Sequence, residues 1–163
     1  MLNFSQVIRL AFISLSFYSA SILILSKSAV AGEPIIDRNC QHHERTQEVF
    51  KKIPPNHQAT GWRTSSFEVN NQKYALQLLR FSNSTGVLCL VKPNTPQRQR
   101  LRGIPVIQDK LIEKIEKDNS KPANYIVTVR GEKTEDILRT VYRLNLTNPN
   151  QPKVTPILRV YKN

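Results

Sequence analysis

Thiol, imidazole and carboxylate groups crowd one short stretch of this chain, Cys40-Gln41-His42-His43-Glu44, with Glu48 one helical turn beyond Glu44 and His57 further on. These are the ligand types that zinc takes, and a metal site needs three or four of them converging on one point. No HExxH pattern or other ordered ligand spacing is present. Adjacent histidines on a helix point in different directions, so the stretch reads first as a polar helix start and implies no metal or other cofactor. The same residues offer acid–base chemistry: His42 or His43 with Glu48 or His57 would let one imidazole remove a proton and another return it, as a small secreted hydrolase requires. With only three histidines and no visible substrate pocket, that enzyme, or a metal-dependent one built on His42, His43 and Glu48, stands as the alternative to a non-catalytic protein. Other catalytic patterns are missing. There is no GxSxG, no Gly-rich phosphate loop and no dinucleotide fingerprint. Glu132, Glu135 and Asp136 are flanked by Arg130, Lys133 and Arg139 and read as a solvated loop with local ion pairs rather than a glycosidase-like pair.

Charge is more informative. The 163 residues carry 24 Lys+Arg against 12 Asp+Glu, a net charge of +12. Between Glu68 and Asp109 there is no acid, while Lys73, Arg80, Lys92, Arg98, Arg100 and Arg102 occur; after Asp136, Arg139, Arg143, Lys153, Arg159 and Lys162 stand unopposed. In Gln97-Arg98-Gln99-Arg100-Leu101-Arg102 three guanidinium forks alternate, and an extended loop would project them to one side for bidentate contact with anions. If the first meander and the last hairpin are neighbours in one sheet, Arg80, Lys92, Arg143 and Arg159 add their field to a common basic face. Such a face attracts an anionic polymer or an acidic protein. The bland counterpart is a solvated basic loop that keeps the protein soluble, which leaves a structural or protein-interaction role at the envelope as a further alternative. Trp62 and the aromatics of Tyr74 to Phe81, interleaved with Arg63, Lys73 and Arg80, would suit a base-stacking platform, but at alternate positions beside Leu76 and Leu78 they read as sheet core.

An address precedes these features. Leu10 to Ser26 is uncharged and mostly apolar, Arg9 stands before it, and Ala29-Val30-Ala31 follows with the small residues a signal peptidase accepts. The expectation is a secretory signal over 1–31, cleaved before Gly32, and a single exported domain over 32–163 working in the periplasm, at the envelope or outside the cell, without a membrane span. The alternative is an uncleaved N-terminal anchor, because 17 uncharged residues just reach the lower limit for a span. After removal of the first 31 residues, 22 Lys+Arg and 12 acids remain, a net charge of +10. Two cysteines in an oxidising compartment predict one bridge, Cys40 to Cys89, worth about 4 kcal/mol in the chain-entropy model. Two independent buried thiols are the alternative, and the absence of CxxC argues against a redox site. Asn83-Ser84-Thr85 and Asn145-Leu146-Thr147 are glycosylation sequons of consequence in a eukaryotic secretory route.

The elements that must position these residues follow from periodicity. Thr46, Val49, Phe50 and Ile53 predict a short helix within 41–53, stopped by Pro54-Pro55. Period-two runs predict strands over 62–69, 73–81 and 87–92, divided by Asn70-Asn71-Gln72 and by a loop ending at Gly86. Residues 93–103 read as a basic loop. Ile107, Leu111 and Ile115, with Ile104 and Ile112 beside them, predict a helix over 105–118 whose apolar stripe covers a sheet. Strands are expected over 124–130, 140–147 and 153–161, and 134–140 reads either as a capped helical turn or as a strand start. The expected fold is a small α+β domain with a mainly antiparallel sheet of about six strands in two meanders, plus one or two short helices.

Overall fold

A computed structural model describes residues 33–132 and 136–162. The signal peptide or anchor expected over 1–31 and the cap expected at Thr134 lie outside the described residues. Ten strands form three antiparallel sheets. The first four-stranded sheet is a meander of β3 (Ala59–Val69), β4 (Gln72–Phe81), β5 (Gly86–Val91) and β6 (Arg98–Arg100), in that spatial order. The second is a meander of β7 (Leu111–Lys117), β8 (Asn124–Arg130), β9 (Ile137–Asn145) and β10 (Lys153–Tyr161). A two-stranded hairpin, β1 (Ile35–Ile36) with β2 (His42–His43), precedes both. Between β3 and β4 the chain turns on Asn70 and Asn71, both at positive φ (49° and 59°), the backbone of a primed two-residue turn that asparagine tolerates.

Alternation along β4 and β5 gives these strands two apolar faces. Leu76 and Leu78 of β4 and Leu88 and Leu90 of β5 share one buried cluster with Ile112 of β7, Tyr125, Val127 and Val129 of β8 and Leu144 of β9. The two large sheets therefore pack face to face, as antiparallel sheets with one apolar side must. The opposite residues, Leu79, Phe81, Val87 and Cys89, form a second cluster with Ile36 and Cys40 of the N-terminal hairpin. A disulfide joins Cys40 to Cys89, Cα to Cα 6.0 Å, and fixes that hairpin over the outer face of β4 and β5. At Gly86 the two sheets touch through backbone: its N–H donates to the Lys110 carbonyl at 2.8 Å and its carbonyl accepts from the Asp109 N–H at 3.0 Å. A Cβ there would lie 2.9 Å from Ile112 Cδ1 and 2.9 Å from Leu78 Cδ1, so glycine permits the close approach.

This architecture corrects the expected fold class. The protein is mostly β, with sheets of two, four and four strands in place of one sheet of about six covered by helices. The helix expected over 105–118 is absent. Ile104 to Gln108 make a single winding, with Ile107 N–H and Gln108 N–H both donating to the Ile104 carbonyl, and Asp109 at φ 58° ends it before β7 begins. The helical spacing of Ile112 and Ile115 has another origin. Pairing with β8 slips between Ile112 and Lys114, leaving Glu113 as an extra residue, and such a bulge brings two side chains of odd separation onto one face. The helix expected within 41–53 shrinks to α1 (Gln47–Lys52), capped by Thr46, whose hydroxyl accepts from the Val49 N–H at 3.3 Å. His42 and His43 lie in β2 instead of on that helix. The loop expected over 93–103 contains the edge strand β6.

Candidate anion-binding groove along β6

The three alternating arginines are placed by a buried glutamine. Leu101 N–H donates to the Leu88 carbonyl at 2.9 Å, but the reciprocal bond of that pair is not made. The Gln108 amide fills the gap: its Oε1 accepts from Leu88 N–H at 2.8 Å, and its Nε2 donates to the Leu101 carbonyl at 2.7 Å and to the Leu88 carbonyl at 2.9 Å. Gln108 thus holds the end of β6 against β5 from a position that is 8% exposed. The register pairs Arg100 with Cys89 and Arg98 with Val91, so both guanidinium side chains rise on the face that the disulfide-linked hairpin covers.

There they meet different partners. Arg100 forms an ion pair with Asp109 and donates to the Arg38 carbonyl at 3.0 Å. Arg38 pairs with the same Asp109 carboxylate at 3.1 Å and lies 4.3 Å above the ring of Phe81. It also donates to Asn83 Oδ1, Thr85 Oγ1 and the Asn56 carbonyl, so one guanidinium ties the N-terminal hairpin to three surrounding loops. Arg98 has no carboxylate partner among the described residues. Its Nη1 lies 3.1 Å from His42 Nδ1, and its buried Nε has no hydrogen-bond partner. Burial pushes the Arg98 guanidinium below the ordinary arginine value. His42 is lowered too, by burial first and then by the positive charge of Arg98 and by His43. The imidazole is consequently neutral near neutral pH and does not compensate the arginine charge. Arg102 follows β6 in the exposed Arg102-Gly103 segment.

Arg98, Arg100 and Arg102 line a groove of about 810 Å³. It is lined further by Asn39 and Gln41 from the hairpin loop, Pro149 and Asn150 from the turn between β9 and β10, and Leu90, Gln99 and Leu101. Among the described residues no acidic side chain lines it. The hairpin loop is shaped by Asp37, whose Oδ1 accepts from the N–H groups of Asn39 and Gln41 at 2.8 and 2.9 Å, and by Cys40, which sits at φ 67°.

The remaining basic residues do not join this groove, because the first meander and the last hairpin belong to different sheets. Arg80 donates to the carbonyls of Ile112 and Glu113, capping the bulge of β7. Arg143 lies 3.4 Å from Asp118. Arg159 lines a separate cavity of about 260 Å³ with Lys110, Arg130 and Glu132. Lys92 is a half-buried residue just after β5.

The acid–base residues are dispersed into other work. His43 Nε2 contacts Asp37 Oδ2 at 3.1 Å, His42 serves Arg98, Cys40 is in the disulfide, and Glu48 lies exposed on α1. No group of three or more His, Cys, Asp or Glu among the described residues could hold a metal ion. Trp62, 40% exposed on β3, is outside both buried clusters, while Phe67, Tyr74 and Tyr125 stack within the main one. Arg38 and Gln108 escape a reading by motif; Asp109, which ends the acid-free stretch, is the carboxylate that stretch pairs with.

Compared with protein-family models, curated proteins and solved structures, the chain matches none.

Proposed function

We propose that this chain is an exported, non-catalytic module that takes an anionic ligand in the arginine groove along β6, at the cell envelope or outside it. The observation that carries the reading is Arg98. A partly buried guanidinium whose contact is a neutral imidazole is an uncompensated charge, and an anion entering the groove would relieve it. Arg102 adds a second charge with no carboxylate partner among the described residues, and Asn39, Gln41 and Asn150 offer neutral polar groups beside them. Export rests on the signal-like first 31 residues together with the disulfide, which an oxidising compartment maintains.

The test is a binding titration against poly-glutamate, a sulfated polysaccharide and single-stranded DNA at low and moderate salt. Two arginines without carboxylates give a log–log salt slope of about −2 for a dense polyanion. The Arg98→Gln, Arg102→Gln variant keeps the Arg100–Asp109 pair and is expected to lose at least about tenfold in affinity. Negligible binding of all three polymers by both proteins at low salt removes the proposal.

A further inference from the structure

The backbone of β6 narrows the class of ligand. In an antiparallel ladder successive residues point their N–H and C=O groups alternately toward the partner strand and away from it. Because Leu101 N–H donates to the Leu88 carbonyl, Leu101 and Gln99 face β5, and the backbone groups of Arg98 and Arg100 point off the sheet. β6 is the outermost strand of its sheet. The main-chain N–H and C=O of Arg98 and Arg100 have no hydrogen-bond partner among the described residues. The free edge and the arginine side chains thus belong to the same two residues, and both lie along the groove.

We infer that the groove binds an extended acidic polypeptide that adds as a fifth strand beside β6. This rests on the anionic-ligand reading above and names its class. A polysaccharide or nucleic acid satisfies guanidinium groups, but an edge that presents donors and acceptors in strand spacing is matched by another peptide backbone. Charge selects an acidic one. Side chains of the added strand alternate between the two faces of the sheet. On one face they meet Arg98, Arg100 and the Asn39–Gln41 loop; on the other they lie beside the exposed Gln99 of β6, because Leu90 and Leu101 are each only 3% exposed. The recognised segment is therefore one with acidic residues at alternate positions, on the face of Arg98 and Arg100. Among the described residues no aromatic side chain lines the groove to offer the stacking surface that bases and sugar rings use.

The probes are a hexapeptide alternating Glu and Val and two N-methylated forms of it, one blocking the N–H groups of the Glu residues and the other those of the Val residues. Charge is the same in all three. Strand addition predicts that one methylated form binds at least about tenfold more weakly than the parent while the other, blocked on the edge facing away, retains most of its affinity. It also predicts that the amide protons of Arg98 and Arg100 exchange freely in the unliganded protein and at least about tenfold more slowly with the peptide bound. Equal binding of all three peptides, or equally tight binding of a sulfated polysaccharide or oligonucleotide, overturns strand addition and leaves the anionic groove standing. Failure of every anion to bind at low salt overturns both. Concentration-dependent protection of Arg98 and Arg100 without peptide identifies a second copy of this chain as the occupant and likewise overturns the inference.

Discussion

Arg98 Nη1 stands 3.1 Å from His42 Nδ1, and this contact fixes where the imidazole carries its proton. A guanidinium nitrogen only donates, so Nδ1 accepts and the neutral ring is protonated on Nε2. The groove thus holds a cation against a neutral acceptor, an arrangement that protonation of His42 would turn into two like charges.

That coupling makes stability depend on pH. The folded-state value of His42 is depressed, so as pH falls through the ordinary imidazole range the unfolded chain takes up a proton that the folded chain refuses. The contribution is intact above the ordinary value and is lost progressively as pH falls from there through the depressed folded value. Thermal melts at about pH 7.5 and about pH 5 should show a fall in Tm for the wild type that is smaller in His42→Asn, whose Oδ1 accepts without titrating. The His43–Asp37 contact is present in both proteins, so the difference between them reports His42. Identical pH dependence in the two contradicts the assignment.

The disulfide closes a loop with a sequence separation of 49, and its loss should cost about 4 kcal/mol if the entropic account holds. Cys40→Ser, Cys89→Ser also leaves two hydroxyls among Ile36, Leu79, Phe81 and Val87. Urea denaturation of the wild type with and without reductant, and of the double variant, measures this. An unchanged midpoint would show that packing alone holds the hairpin.

Gln108 bridges three backbone groups of Leu88 and Leu101 from a buried site. Gln108→Leu keeps the volume but strands the Leu88 N–H and the Leu101 carbonyl, while the Leu88 carbonyl keeps the Leu101 N–H, with an expected loss of about 2–4 kcal/mol. The same variant should weaken anion binding, because the end of β6 is no longer held in register. Wild-type stability in Gln108→Leu would contradict the role given to this side chain.

The strands that were legible in the sequence are those whose period-two pattern is driven by burial. The runs around Leu76 and Leu78 and from Tyr125 to Val129 announce themselves because alternate residues face the main core, and Val87 to Leu90 because both of its faces are buried. The 105–118 segment misleads for a definite reason: the bulge at Glu113 puts Ile112 and Ile115 on one side, and three-residue spacing is also what a helix produces. β6 escapes notice because it is a three-residue edge strand whose side chains are charged or amide. The alternation of Arg98, Arg100 and Arg102 is visible in the chain, and they do share a groove. Their internal partners are not visible, since Arg38 and Asp109 reach Arg100 only through a disulfide-bound hairpin and a turn distant in sequence. For the same reason Arg80 reads as a surface charge and turns out to cap a bulge on the opposite sheet.

Anion binding at the β6 groove, as proposed above, is distinct from diffuse attraction across the basic surface at large. It is tested most directly by mapping backbone amide chemical shifts while poly-glutamate is added to the isotope-labelled protein at low salt. The account predicts perturbations concentrated at Asn39, Gln41, Arg98 to Arg102 and Asn150, with little change at Arg143 and Arg159. Shifts centred on Arg143 or Arg159, or spread evenly over the basic residues of both sheets, would contradict it.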